Sequence, residues 1–222
     1  MFQAISESLP IASGIILATL PLMAVPLTLL SRGASRVLGW FLAGYAGGFV
    51  IVAGAVILTA DLFAFASGDV SRGMAWLRVL LGIVLLGLAW HKWQGRPKRG
   101  EEPTPPGWAK VLDSLTSPGA TGLGFALVAL NPKNAVLVAS GGLAIAAATP
   151  MPGAQALALI VFTVVSCLAI AAPLLLWLML GDRVRAPLNR IRGFLVRYDA
   201  QILTVVLAGL GLVVILNATR YL

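Results

Sequence analysis

Charge in this chain is confined almost entirely to the gaps between apolar runs, and each run is about long enough to cross a bilayer. Of the 222 residues, 59% are hydrophobic and 11% are charged, whereas a soluble domain carries about 25% charged residues. Runs near 9–30, 36–60, 75–92, 119–149, 153–180 and 201–221 meet the length of roughly 20 apolar residues that a transmembrane helix needs. Six spans leave almost nothing for a soluble domain. In lipid each backbone must satisfy its own hydrogen bonds, which predicts helices throughout.

The formal net charge of +8 reads as topology rather than as a nucleic-acid surface, because the basic residues sit in short loops. Twelve of the sixteen Lys and Arg residues fall around Arg32 and Arg36, between Lys92 and Lys110, and between Arg183 and Arg197. Arg72, Arg78 and Arg220 lie toward the other side. The positive-inside rule then places the three basic loops in the cytoplasm and both termini outside. The N-terminus carries Glu7 and no basic residue before the first run. It lacks the n-region of a cleavable signal, so the first span is expected to be retained.

A mobile linker divides the chain. Gln94 to Ser117 holds Pro97, Pro103, Pro105, Pro106 and the charged run Lys98 to Glu102, a composition that stays solvated. The expected organisation is a first three-helix half (1–93), a cytoplasmic linker (94–117) and a second three-helix half (118–222). Three spans on each side make the halves inverted with respect to the membrane. An echo supports this: Ala18-x-x-Pro21-x-x-Ala24-Val25 recurs as Ala129-x-x-Pro132-x-x-Ala135-Val136, 111 positions on, which is half the chain. The fold class is therefore an all-α polytopic membrane protein, six helices in two inverted halves, with spans one and four broken at prolines.

Lys133 is the residue that demands a function. It lies in Asn131-Pro132-Lys133-Asn134, near the centre of the run 119–149, roughly 20 Å from either end at the α-helical rise. A Lys at bilayer depth costs at least ~2.5 kcal/mol on insertion scales, and such residues mark sites by default. Pro132 removes a backbone donor and the asparagines offer replacements, so the span is expected to break here. The candidate substrate-binding residues are Lys133, Asn131, Asn134 and Pro132, with Thr19 and Pro21 from the opposed broken span. Half-helix ends meeting there suit a carboxylate, phosphate or polarised carbonyl. The bland alternative is that Lys133 satisfies carbonyls freed by Pro132 and locks the break.

The rest of the interior is apolar in character. All eight acidic residues, Glu7, Asp61, Asp69, Glu101, Glu102, Asp113, Asp182 and Asp199, fall at or beyond span ends, and Lys133 is expected to be the sole basic residue inside. His91 is the only histidine and Cys167 the only cysteine, too few parts for a metal site, a disulfide or a Ser-His-Asp device. No metal, catalytic residue or cofactor is expected. Arg78 is read as snorkelling to the outer interface, with an exit for anions as the alternative, and Thr163 and Ser166 as bonding their own helix backbone, with lining a path as the alternative. Gly44-x-x-x-Gly48 is a packing face inside the chain, with a homodimer seam as the alternative. Val184, Leu188, Ile191, Leu195 and Tyr198 recur at helical spacing opposite arginines, and Trp108 to Leu115 repeats the pattern. Both segments are expected to lie on the inner leaflet.

With these residues in hand, the chain resembles the peptidoglycolipid addressing protein (GAP) family of the LysE-type exporter superfamily. The resemblance is carried by Leu9-Pro10 with Pro21 and Pro26, Leu29-Leu30-Ser31-Arg32, Leu38-Gly39-Trp40, Trp108 to Leu115, Gly122-Leu123-Gly124, Leu130 to Asn134, and Pro187 to Arg197. It implies a six-span bacterial inner-membrane protein linked to export of envelope glycolipids, with membrane lipid or glycolipid cargo as partner. The leading expectation is an exporter or flippase for an anionic lipid or glycolipid envelope precursor. A membrane enzyme or accessory subunit acting on such glycolipids, and a small-solute exporter of the amino-acid type, stay open.

Overall fold

The computed structural model describes residues 2–19, 35–67, 70–96, 116–180, 183 and 185–219. Among these residues the regular elements are seven long helices: α1 (Phe2–Thr19), α2 (Ser35–Ser67), α3 (Val70–Gln94), α4 (Ser117–Ala129), α5 (Pro132–Ala148), α6 (Pro152–Leu180) and α7 (Arg185–Thr219). Four of them contain apolar stretches long enough to cross a membrane: Arg36–Phe63, Ala75–Gln94, Pro152–Ala172 and Ala200–Thr219. A fifth span forms if α4 and α5, bent by 70° at their junction, count as one crossing. The molecule is a multi-pass helical membrane protein.

Two expected spans differ from what is found. The first run, near 9–30, begins earlier, since α1 starts at Phe2 and carries Pro10 inside it. Its described apolar part is Phe2–Ala18, and residues 20–34, Pro21 among them, lie outside the described residues. At the other end, the amphipathic segment and the last span are not separate helices. They form one continuous helix of 35 residues, about 52 Å long against a hydrocarbon core of about 30 Å. Nothing from Phe194 to Ala208 is a proline or glycine, so hydrogen bonding runs through the change from amphipathic to wholly apolar sequence. The Trp108 to Leu115 segment lies outside the described residues.

The extensive contacts run between helices of the two halves of the chain. α2 packs on α4, α5 and α6; α3 on α7 and α5; α1 on α6, α5 and α7. Glycines set the closest approaches. A Cβ on Gly44 would fall into the Thr121 backbone, and one on Gly124 would meet the Phe41 carbonyl oxygen and the Tyr45 nitrogen. Gly48 faces Val128, and Gly142 faces Ala53 and Val56 further along. The Gly44-x-x-x-Gly48 face is thus used inside the chain, where small residues let backbones approach and dispersion contacts accumulate. Gly82 and Gly211 make the equivalent close crossing between α3 and α7, where the Thr204 hydroxyl donates to the Ala89 carbonyl at 3.4 Å.

The order of these contacts fixes directions: α2 runs parallel to α4, and α3 antiparallel to α7. Phe41, Tyr45 and Phe49 form an aromatic column down α2, continued edge-on by Phe162 of α6 at 6.1 Å. At one end of the bundle Gln155 donates to Asp61 at 3.1 Å and to the Thr149 carbonyl at 3.0 Å, tying the α5–α6 connection to α2. Trp40, Trp76, Trp90 and Trp93 are exposed near helix ends, as interfacial anchors are.

Candidate functional site

The break between α4 and α5 is built residue by residue. Leu130 closes α4, its N–H donating to the Ala126 carbonyl at 2.8 Å. Asn131 is extended (φ −81°, ψ 114°) and its carbonyl accepts the first bond of α5 from Ala135 N–H at 2.9 Å. Pro132 follows as the first helical residue, where its missing N–H costs nothing and its fixed φ favours a new start. The Asn131 side chain makes no capping bond. Asn134 supplies the closure instead: wholly buried, it donates Nδ2 to the Leu127 carbonyl at 2.7 Å. That carbonyl is one of those a helix leaves without a partner at its C-terminus.

Lys133 turns the other way, from the second half of the chain to the first. Its Nζ donates to the Ala18 carbonyl, in the last turn of α1, at 2.8 Å. The bland expectation is therefore half right: Lys133 does bond a carbonyl, but one from the opposed span rather than from its own break. Thr19 follows Ala18 directly in α1; its side chain and all of Pro21 are outside the described residues. Lys133 alone of these side chains is seen to reach α1, where Ala18 meets it through an atom that every residue type possesses; Asn131, Pro132 and Asn134 form the break beside it. The echo between Ala18 to Pro21 and Ala129 to Pro132 was the available signal for it.

A second cation lies inside, which corrects the expectation that Lys133 is alone there. Arg78 is 5% exposed and donates Nη2 to the Leu143 carbonyl of α5 at 3.2 Å. It does not snorkel, because Ala75, Arg78, Gly82, Leu85 and Ala89 share the face of α3 that points into the bundle and all are buried. That helical spacing was legible in the sequence.

The reading of Thr163 and Ser166 is also corrected. Their hydroxyls are buried (6% and 0% exposed), yet neither bonds its own helix backbone or any other group. The Asn134 Oδ1 is likewise buried without a partner. His91 is exposed in the last turn of α3. Among the described residues no three His, Cys, Asp or Glu side chains lie together.

Chemically, the arrangement includes an ammonium with a neutral carbonyl among its partners, at a 70° break in an apolar span. A hydrogen bond to a charged group nets about 1.5–3 kcal/mol, comparable with the lowest estimate for placing the charge there. The carbonyl offsets part of that cost. No curated protein and no solved structure matches the chain. The family model described as Sap, sulfolipid-1-addressing protein, matches residues 9–219, and a match over nearly the whole length, break and all, means that the chain belongs to the sulfolipid-1-addressing protein family.

Proposed function

We propose that this protein is a membrane transporter, an exporter or flippase, for an anionic lipid or glycolipid precursor of the bacterial envelope. Lys133 receives the anionic group, with Asn131, Pro132 and Asn134 beside it in the break. The observation that carries this reading is the Lys133 ammonium bonded at 2.8 Å to a neutral carbonyl across the two halves. A carboxylate, phosphate or sulfate is a stronger partner for an ammonium than a carbonyl is. The family description names a sulfolipid, and a sulfate ester stays ionised at any physiological pH.

Two inverted halves around that site are supported by the way the helices pair. The packing of α1 on α6 is answered by that of α4 on α2, and α1 on α7 by α5 on α3, while α3 and α7 are each other's counterparts. This is the pattern expected when span one corresponds to span four, two to five and three to six. Six spans, with both termini outside and Arg183 to Arg197 at the inner leaflet, complete the reading; membership of the wider exporter superfamily belongs to it as well.

The test separates charge from mechanical support. Lys133→Gln keeps an N–H donor for the Ala18 carbonyl but removes the cation. In proteoliposomes carrying a fluorescent sulfated galactosyl lipid, with transbilayer movement read by dithionite quenching, Lys133→Gln is expected to slow transport at least about tenfold with thermal stability near wild type. Lys133→Arg restores transport only in part, because a planar fork does not replace a point charge. Wild-type transport by Lys133→Gln would sink the anion site and leave a structural strut.

A further inference from the structure

Among the described residues four buried side-chain groups lack a hydrogen-bond partner: Thr163, Ser166, the Oδ1 of Asn134 and the Oε1 of Gln201. Each such group lowers stability relative to an apolar side chain of the same shape. A fold alone gains nothing from them. Gln201 stands apart on α7, and the other three lie on α5 and α6. α5 and α6 are joined through residues 149–151 and run antiparallel, and Gly141 lies against the Phe162 ring so closely that a Cβ would collide with it. This contact sets the register: Thr163 is level with Ser140, and Ser166 with Leu137, one turn from Asn134. Between Asn134 and Ser140 the helical rise is about 9 Å. Counted from that one contact, the three groups follow one another in level from the break at Lys133 toward the end of the bundle where Gln155 bonds Asp61.

We infer that Asn134, Ser166 and Thr163 bind the sugar hydroxyls of a glycolipid headgroup whose anionic group is held by Lys133. The inference rests on the transport reading and assigns the neutral part of the same cargo. The chemistry matches: one amide oxygen accepts, and two hydroxyls each donate and accept, with no charge among them. Such a set recognises a polyhydroxylated group and offers nothing to an acyl chain. Side chains built to bond a substrate hydroxyl discriminate strongly against analogues that lack it, because they are then left unpaired. In the structure described here all three are in that unpaired condition.

The experiment compares two fluorescent probes in proteoliposomes, a sulfated galactosyl lipid and phosphatidic acid, the second being anionic but without sugar. The Thr163→Val/Ser166→Ala double variant is expected to shift the ratio of the two rates about tenfold against the sugar lipid, the loss of two neutral hydrogen bonds. Its thermal stability is expected to equal or exceed wild type, because no bond within the fold is removed. An unchanged ratio overturns the inference, as does equal slowing of both probes, which would mark a hydration path. A fall in thermal stability overturns it too, since the hydroxyls would then serve the fold. Lys133→Gln, measured alongside, slows both probes if the transport reading holds. If Lys133→Gln slows both and the double variant leaves the ratio unchanged, only the sugar assignment fails. If Lys133→Gln slows neither, the underlying reading fails.

Discussion

Lys133 and Asn134 are neighbours with opposite tasks: one joins the two halves through Ala18, the other repairs its own broken span through Leu127. Asn134→Leu removes the donor to a carbonyl in the core and leaves it unpaired, which is expected to cost about 1–3 kcal/mol. Reversible unfolding in mixed micelles measures this, and a loss below about 0.5 kcal/mol would mean that Leu127 finds another donor. At this scale the break was readable, because proline and asparagine have side-chain properties that act locally. Ala18 was not, since a carbonyl is common to all residues and only the folded geometry selects one. Thr163 and Ser166 were misread for a related reason: a hydroxyl in a helix has its own backbone within reach, and sequence does not reveal when it declines that bond.

Elements meet where side chains are smallest. Gly124 has Phe41 and Tyr45 backbone where a Cβ would go, whereas Gly47 on α2 has nothing within 4 Å. Gly124→Ala is expected to cost about 3 kcal/mol by forcing α2 and α4 apart. Gly47→Ala is expected to be neutral or to stabilise by up to about 1 kcal/mol through helix propensity. Unfolding of the two variants side by side checks the pair, and equal effects would contradict the seam. Positions 36–60, 75–92 and 153–180 were legible as helices from apolar length alone, which is what a bilayer selects. The join within α7 was not, because a pattern that changes character at Tyr198 looks like a boundary, while the backbone continues through it. Arg78 was legible and overlooked: its charge drew attention, its register with Leu85 and Ala89 decided its place.

The whole molecule is an interleaving of two halves rather than two bodies side by side, since the broad contacts cross between them. If the halves are inverted, small epitope tags at the N- and C-termini are both labelled by an impermeant reagent on intact spheroplasts, and a tag in the 94–117 linker is protected. Termini on opposite faces would mean an odd number of crossings and would remove the inverted arrangement. The bond from Lys133 to Ala18 has a further consequence under the proposed function. Cargo does not add to an empty ammonium; it displaces a carbonyl, so capture is an exchange reaction whose driving force is only the difference between two partners. The same carbonyl waits to retake the cation when the cargo leaves. A carrier built on exchange holds its load more weakly than a bare charge would, and lets it go faster.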